Sequence, residues 1–219
     1  MRDIVIYGGG GFAREVLQVL LDINAQQPTW KILGFLVDED YREENVIQGL
    51  PVLGGAEWLA GKAGHAVVVA NGESRHRLAM VERLEGMGEF DFPVLIHPRA
   101  WLGRNIKLGP GCIVCAGVAM TTDIYAGMHV NININATVGH DCRFEDFATV
   151  SHGVNVSGNV RVGEGVELLA GSVVIPHVEF GSWSKLAAGA VALSDIPPES
   201  LAVGAPARVV KQLERPASR

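Results

Sequence analysis

Residues 130–165 read, in blocks of six, VNININ-ATVGHD-CRFEDF-ATVSHG-VNVSGN-VRVGEG. Each block opens on a small or aliphatic residue. The third place is always apolar: Ile132, Val138, Phe144, Val150, Val156, Val162. The pattern runs on in both directions, from Val94 to Asp195, and an apolar residue holds the third place in all seventeen blocks, from Ile96 to Ala192. An amphipathic helix would repeat about every 3.6 residues and a half-buried strand about every two. A strict period of six marks a parallel β-helix of hexapeptide repeats. Three blocks make one triangular coil, so residues eighteen apart stack in a column, with the third-place side chains filling a continuous core.

Outside the repeats the pattern changes. Residues 3–7 (Asp-Ile-Val-Ile-Tyr) read as a buried strand, followed by four glycines, Gly8 to Gly11, and a helical pattern from Phe12 to about Asn24. Further strands fit Lys31–Val37 and His65–Ala70, and a helix fits Glu73–Leu84, with Leu78, Val81 and Leu84 on one face. Strand, helix and strand in alternation predict a small parallel α/β domain. Gly8-x-Gly10-x-x-Ala13 between strand and helix matches a dinucleotide fingerprint, in which glycines let backbone amides approach a pyrophosphate at a helix N-terminus. The fold class is therefore a short Rossmann-like βαβ domain over 1–93, a left-handed parallel β-helix over 94–195, and a C-terminal cap segment over 196–219 expected to carry a short helix. Some ninety residues before the repeats leave no room for the second half of a full NAD domain, so a sugar-nucleotide pyrophosphate suits the glycine loop better.

Composition narrows the function classes. The chain of 219 residues carries a formal net charge of −6 and no basic stripe, which argues against nucleic-acid binding. No apolar run reaches the ~18 residues that a membrane span needs. Met1-Arg2-Asp3 leads straight into a strand with no visible signal peptide, and the three cysteines cannot all pair. A reduced, cytoplasmic setting is expected. Cys112, Cys115 and Cys142 fall at first or fourth places of their blocks, where small residues are wanted, so they read as packing. A β-helix carbonic anhydrase would need zinc-binding histidines five residues apart; His97, His129, His140, His152 and His177 offer no such pair, and no metal is expected.

The glycine-rich α/β start, the hexapeptide repeats, Val138-Gly139-His140-Asp141-Cys142, Ser151-His152-Gly153, Ser157-Gly158-Asn159-Val160 and the ending Gly204-Ala205-Pro206-Ala207-Arg208 together resemble the NeuD-type sugar O- and N-acetyltransferases. That group includes the bacillosamine-pathway and perosamine N-acetyltransferases. The resemblance covers essentially the whole chain. It implies a homotrimer, acetyl-CoA as donor in the groove between neighbouring β-helices, and a nucleotide-linked amino sugar held by the N-terminal domain.

Acetyl transfer from a thioester to an amine needs a base, a donor for the developing oxyanion, and attack geometry. Histidine titrates near ~6.5, where a base is useful at neutral pH. His140 lies at the fifth place of its block, off the apolar column, and Asp141 beside it would fix its tautomer. The resemblance implies the same pair as catalytic. Stacking places Gly158 one coil above His140, where a missing side chain opens space and exposes an N–H. The resemblance implies coenzyme contacts at Gly158 and at positions matching Thr149, Ala170 and Ala188. Thr149 stands where a relative carries His, a place that nearby His152 could fill. Lys185, Arg208 and Lys211 could meet the coenzyme phosphates. For the sugar nucleotide it implies Gly10, Gly11, Phe12, Asp38, Glu39 and the Asn71-Gly72 loop, with Arg75 assisting at phosphate. The expected reaction is N-acetylation of the 4-amino group of a 4-amino-dideoxy sugar on GDP, as in GDP-perosamine, or on UDP. A sialic-acid-type O-acetyltransferase and a non-catalytic sugar-nucleotide-binding trimer are the alternatives.

Overall fold

A computed structural model describes residues 1–215; the final stretch of the expected cap segment, 216–219, lies outside the described residues. In the N-terminal part, β1 (Arg2–Tyr7), β2 (Trp30–Leu36), β3 (Val46–Ile47), β4 (Leu50–Gly54) and β5 (Ala66–Val69) form one sheet in the order β3-β4-β2-β1-β5. β1 pairs in parallel with β2 on one side and β5 on the other, and β4 runs parallel to β2. Ile4, Val5 and Ile6 are fully buried, as a central parallel strand covered on both faces requires. Helix α1 (Gly11–Gln26) follows β1 and buries Ala13, Val16, Leu17, Val19 and Leu20 along one stripe. Helix α2 (Ser74–Glu85) follows β5. The antiparallel β3–β4 hairpin is additional to the strands expected from sequence. Its two-residue turn, Gln48-Gly49, has positive φ at both residues (49° and 81°), the mirror-type turn that matches strand twist.

From Leu95 onward the chain winds as a left-handed parallel β-helix. Among the described residues its sheets have eight, six and five strands. The first face begins with Leu95–Ile96, the second with Trp101–Leu102 and the third with Ile106–Leu108. Residues eighteen apart are in register throughout, as in Asn131 with Thr149 and Thr137 with Asn155. From Asn105 to Gly189, the sixth residue of every block has a left-handed φ, between 53° and 72°. That conformation makes the corner, and its N–H donates to the fifth-place carbonyl of the previous coil, as from Asp141 to Thr122 (3.2 Å) and from Asn159 to His140 (2.8 Å). Glycine, asparagine and aspartate adopt it most easily, which explains their recurrence at that place.

The tail differs from the sequence expectation. Instead of a short helix, Ser200–Val203 joins the first face beside Lys185–Leu186, and Arg208–Gln212 folds back antiparallel on it. The last coil leaves a row of unpaired backbone groups, and a strand satisfies them where a helix could not. Ala202 and Ala207 are buried against the end of the core.

The N-terminal domain covers the first face. Leu95, Ile113 and Cys115 share a cluster with Leu17 and Leu20 of α1, and His97 Nε2 lies 2.8 Å from Asp22 Oδ2. Phe147 and Trp183, on the edge between the third and first faces, share a cluster with Leu78, Val81 and Leu84 of α2. Among the described residues no helix is long and apolar enough to cross a membrane.

Inward and outward places predict opposite sensitivities. Phe144 is fully buried in the β-helix core, so Phe144→Ala should lower unfolding free energy by ~3–5 kcal/mol. Its neighbour Arg143 points outward, its guanidinium 4.5 Å from the Tyr125 ring centroid; Arg143→Ala should stay within about 0.5 kcal/mol of the parent. Denaturant unfolding of both variants checks the pair.

Candidate active site

His140 and Asp141 stand on the edge between the second and third faces. Asp141 is itself a corner residue, with φ 58°, so the fold brings its carboxylate back beside the preceding side chain. His140 Nδ1 lies 2.7 Å from Asp141 Oδ2, and both side chains are more than half exposed. A carboxylate only accepts, so Nδ1 donates, and in the neutral imidazole Nε2 keeps its lone pair. Gly158 lies one coil on, its α-carbon against the imidazole: a Cβ there would come within 2.6 Å of His140 Nε2 and Cε1. Only glycine leaves the ring in place. Among the described residues the Gly158 N–H has no acceptor.

The expected coenzyme contacts fall into separate places. His152, Ala170 and Ala188 are exposed and stacked at eighteen-residue spacing, on the edge between the first and second faces. Thr149 and Lys185 are not brought there. They lie on the first face beneath the N-terminus of α2. The Thr149 hydroxyl is buried against Ser74 Oγ (3.1 Å), Arg77 Nη2 (2.9 Å) and the Gly72 carbonyl (3.2 Å). Lys185 Nζ is 2.7 Å from Glu167 Oε2. In the tail, Arg208 donates to the Ala207 carbonyl, and Lys211 is exposed in the last strand.

At the carboxyl ends of β1 and β5 the two glycine loops meet. β1 has β2 on one side and β5 on the other, and a crevice at such a reversal of strand order is where open α/β sheets bind ligands. Gly8 has φ 130°, and a Cβ on it would lie 2.6 Å from the Ala70 carbonyl oxygen, so glycine is required for β1 and β5 to close up here. Gly10 caps α1 with no side-chain bond, and no acidic residue occupies the first turn; those N–H groups remain open to an anion. Gly11 is exposed there, and Phe12 packs half-buried against the core. Asn71 Oδ1 accepts from the Glu73 N–H at 3.0 Å. Asp38 is close by, but both its oxygens are engaged within the chain: Oδ1 by the Ala56 N–H, Oδ2 by the Tyr7 hydroxyl and Arg83 Nη1. Burial first, and then Asp38, hold the Tyr7 hydroxyl well above its ordinary pKa, so it stays a neutral donor. Glu39 is exposed in a short helical turn. Arg75 is not brought to the crevice; its guanidinium lies 5.9 Å from the Trp183 ring centroid and donates to the Glu214 carbonyl.

Sequence reading passed over the seam that joins these parts. Arg77 is fully buried. Its Nε donates to the His129 carbonyl (2.9 Å), Nη1 to that of Asn71 (2.7 Å), and Nη2 to that of Phe147 (2.6 Å) as well as to Thr149. Burial brings its pKa down to about 10, with Glu167 pulling the other way, so it remains a cation at neutral pH. Reciprocally, Glu167 reaches from the β-helix to accept the Ser74 N–H at 2.9 Å, capping a helix whose own N-cap residue, Glu73, makes no side-chain capping bond. Glu167 sits in register between Thr149 and Lys185 on the first face, a polar column that sequence shows without its partners.

Comparison with known proteins gives consistent findings. Residues 3–84 match the PglD N-terminal domain family. A GDP-perosamine N-acetyltransferase of Escherichia coli is 25% identical over 173 residues, 77% of this chain and 76% of that protein. A mutant perosamine N-acetyltransferase from Caulobacter crescentus, solved in complex with CoA and GDP-perosamine, superposes with a TM-score of 0.86 at 31% identity, covering 95% of this chain and 97% of that one. The acetyltransferase domain of PglB from Neisseria gonorrhoeae gives a TM-score of 0.86 at 30% identity, over 96% of this chain and 100% of the other.

The three thiols are free and buried. Burial pushes Cys112 up to about 11, Cys115 to about 12 and Cys142 to about 11, and the Cys142 thiol donates inward to the Ser157 carbonyl at 3.1 Å. A disulfide dye offered to folded protein at mildly alkaline pH should label none of them, and all three after unfolding in denaturant. Rapid labelling of Cys142 in the folded state, with loss of activity, would make it a candidate nucleophile.

Proposed function

We infer the reaction of this chain from its family: it belongs to the NeuD-type sugar acetyltransferases and is an acyltransferase that draws on acetyl-CoA to N-acetylate an amino sugar. The finer reading is that the acceptor is the 4-amino group of a GDP-linked 4-amino-dideoxy sugar, GDP-perosamine, with His140 as general base. The relatives that carry GDP-perosamine favour guanosine over uridine.

The observation that carries this reading is the 2.7 Å bond from His140 Nδ1 to Asp141, with Nε2 turned against Gly158. In this reading Nε2 accepts a proton from the attacking amine, Asp141 stabilises the imidazolium that results, and as the C–S bond breaks that proton passes to the departing CoA thiolate. The Gly158 N–H donates to the thioester oxygen as it becomes negative. Acetyl-CoA supplies an already activated acyl group, so no covalent enzyme intermediate is needed. The site fits it: Gly158 has no side chain to displace the base, and Ala170 and Ala188 leave a low, exposed strip.

A homotrimer completes the proposal. Within one chain the glycine-lined crevice lies against the first face, whereas His140 lies on the edge opposite that face. A second copy, presenting its His152–Ala170–Ala188 edge or its crevice to the His140 edge of the first, would assemble donor, acceptor and base in one groove. Gly10, Gly11, Asn71 and Gly72 would hold the pyrophosphate through backbone amides.

His140→Ala should lower kcat for the amino sugar by ~10²–10⁴-fold, and Asp141→Asn by less. The deciding assay follows CoA thiol release with GDP-, UDP- and dTDP-linked 4-amino sugars and free sialic acid. Turnover of GDP-perosamine, lost in His140→Ala, is expected. Turnover of sialic acid alone would make the enzyme an O-acetyltransferase instead.

A further inference from the structure

We propose that Arg77 is a positioning residue for the acceptor: it sets the depth at which the sugar nucleotide is held against the β-helix, and touches no substrate itself. The proposal rests on the function just inferred.

Three observations carry it. One guanidinium joins two backbone segments that lie far apart in the sequence. It takes the carbonyls of Asn71 and Gly72, the loop that closes the crevice beside Gly8, and the carbonyls of His129 and Phe147, which lie on successive coils of the β-helix. Asn131 Nδ2 adds a second tie to the same Asn71 carbonyl at 3.2 Å. The crevice loop therefore has little freedom to slide along the first face.

The second observation is chemical. Arg77 is wholly buried, and among the described residues no carboxylate accepts its hydrogen bonds. A cation removed from water without a bonded counter-charge is costly, and an apolar residue of similar volume would serve simple packing as well or better. What only arginine provides is a rigid fork of five donors. Lysine concentrates its donors at one point and cannot span both backbones. The choice of residue tracks the geometry of the joint rather than its cohesion.

The third concerns level. Phe147 and Thr149, which Arg77 binds, follow His140 by seven and nine residues in the same turn of the β-helix. The loop is thus referenced to the coil that carries the base. In an assembly of identical copies that reference holds for every crevice and every His140, and a misplacement of about 1 Å at a reacting centre can cost ~10²-fold in rate.

The test compares wild type, Arg77→Met and Arg77→Lys as full-length protein, with kcat and both KM values measured on acetyl-CoA and GDP-perosamine and thermal melting recorded alongside. In folded Arg77→Met, kcat should drop about tenfold or more, while KM for acetyl-CoA stays within about twofold. Arg77→Lys should recover only part of the loss. If Arg77→Met does not fold, Thr149→Val, which removes one acceptor and leaves the cation in place, should show a smaller kcat loss with the same split. Folded Arg77→Met with wild-type kcat overturns the proposal. So does a Thr149→Val whose only change is a raised KM for acetyl-CoA, since that would make Thr149 a coenzyme contact. Wild type inert toward every nucleotide-linked amino sugar is a different failure: it overturns the inferred reaction, and the role of Arg77 in it.

Discussion

Everything in the β-helix depends on a left-handed corner at every sixth residue. Fifteen such corners in succession, from Asn105 to Gly189, turn a chain that would otherwise run straight into a triangular prism. The requirement reaches into the chemistry. Asp141 is one of these corners, and aspartate is among the few side-chain-bearing residues that accept the conformation readily. The residue just before a corner, here His140, then stands at the prism edge with the corner carboxylate curled back to its Nδ1. The pair is a by-product of how the prism turns, and Gly158, one coil away, clears the space it faces.

A second constraint joins the two folds. Helix α2 is docked at its first turn by a crossed exchange: Glu167 of the β-helix accepts from Ser74, and Arg77 of the helix donates to carbonyls of the β-helix. Each side satisfies groups that the other leaves open, namely orphan N–H groups at a helix start and carbonyls at prism corners. Apolar packing of Leu78, Val81 and Leu84 against Phe147 and Trp183 adds area but little direction. The polar exchange supplies the direction.

How legible this was differs from part to part. The hexapeptide period is a local signal, repeated many times, so the β-helix and the stacking of Gly158 on His140 could be read without any structure. The glycine loop after β1 was equally local. Arg77 and Glu167 could not be found that way, because their partners across the joint lie 52 to 93 residues distant in the chain and neither pattern nor spacing links them. Lys185, Thr149 and Asp38 were visible as polar residues, but sequence does not say which polar side chains are already engaged. The strand at the tail escaped for a related reason: Leu201 and Ala202 have modest preferences of their own, and the unpaired edge of the last coil decided their conformation.

The stacked coils also behave as a ruler. Adjacent strands of a sheet are about 4.8 Å apart, so the prism can lengthen only in steps of that size, eighteen residues at a time. The mark that anchors the N-terminal domain, at Phe147 and Thr149, and the mark that carries His140 sit on the same graduation. Coils could be gained or lost at either end during evolution, altering how much prism extends beyond the site, without changing the distance between the two marks. A single-residue insertion between them has no such latitude, since it would turn every later inward side chain out of the core.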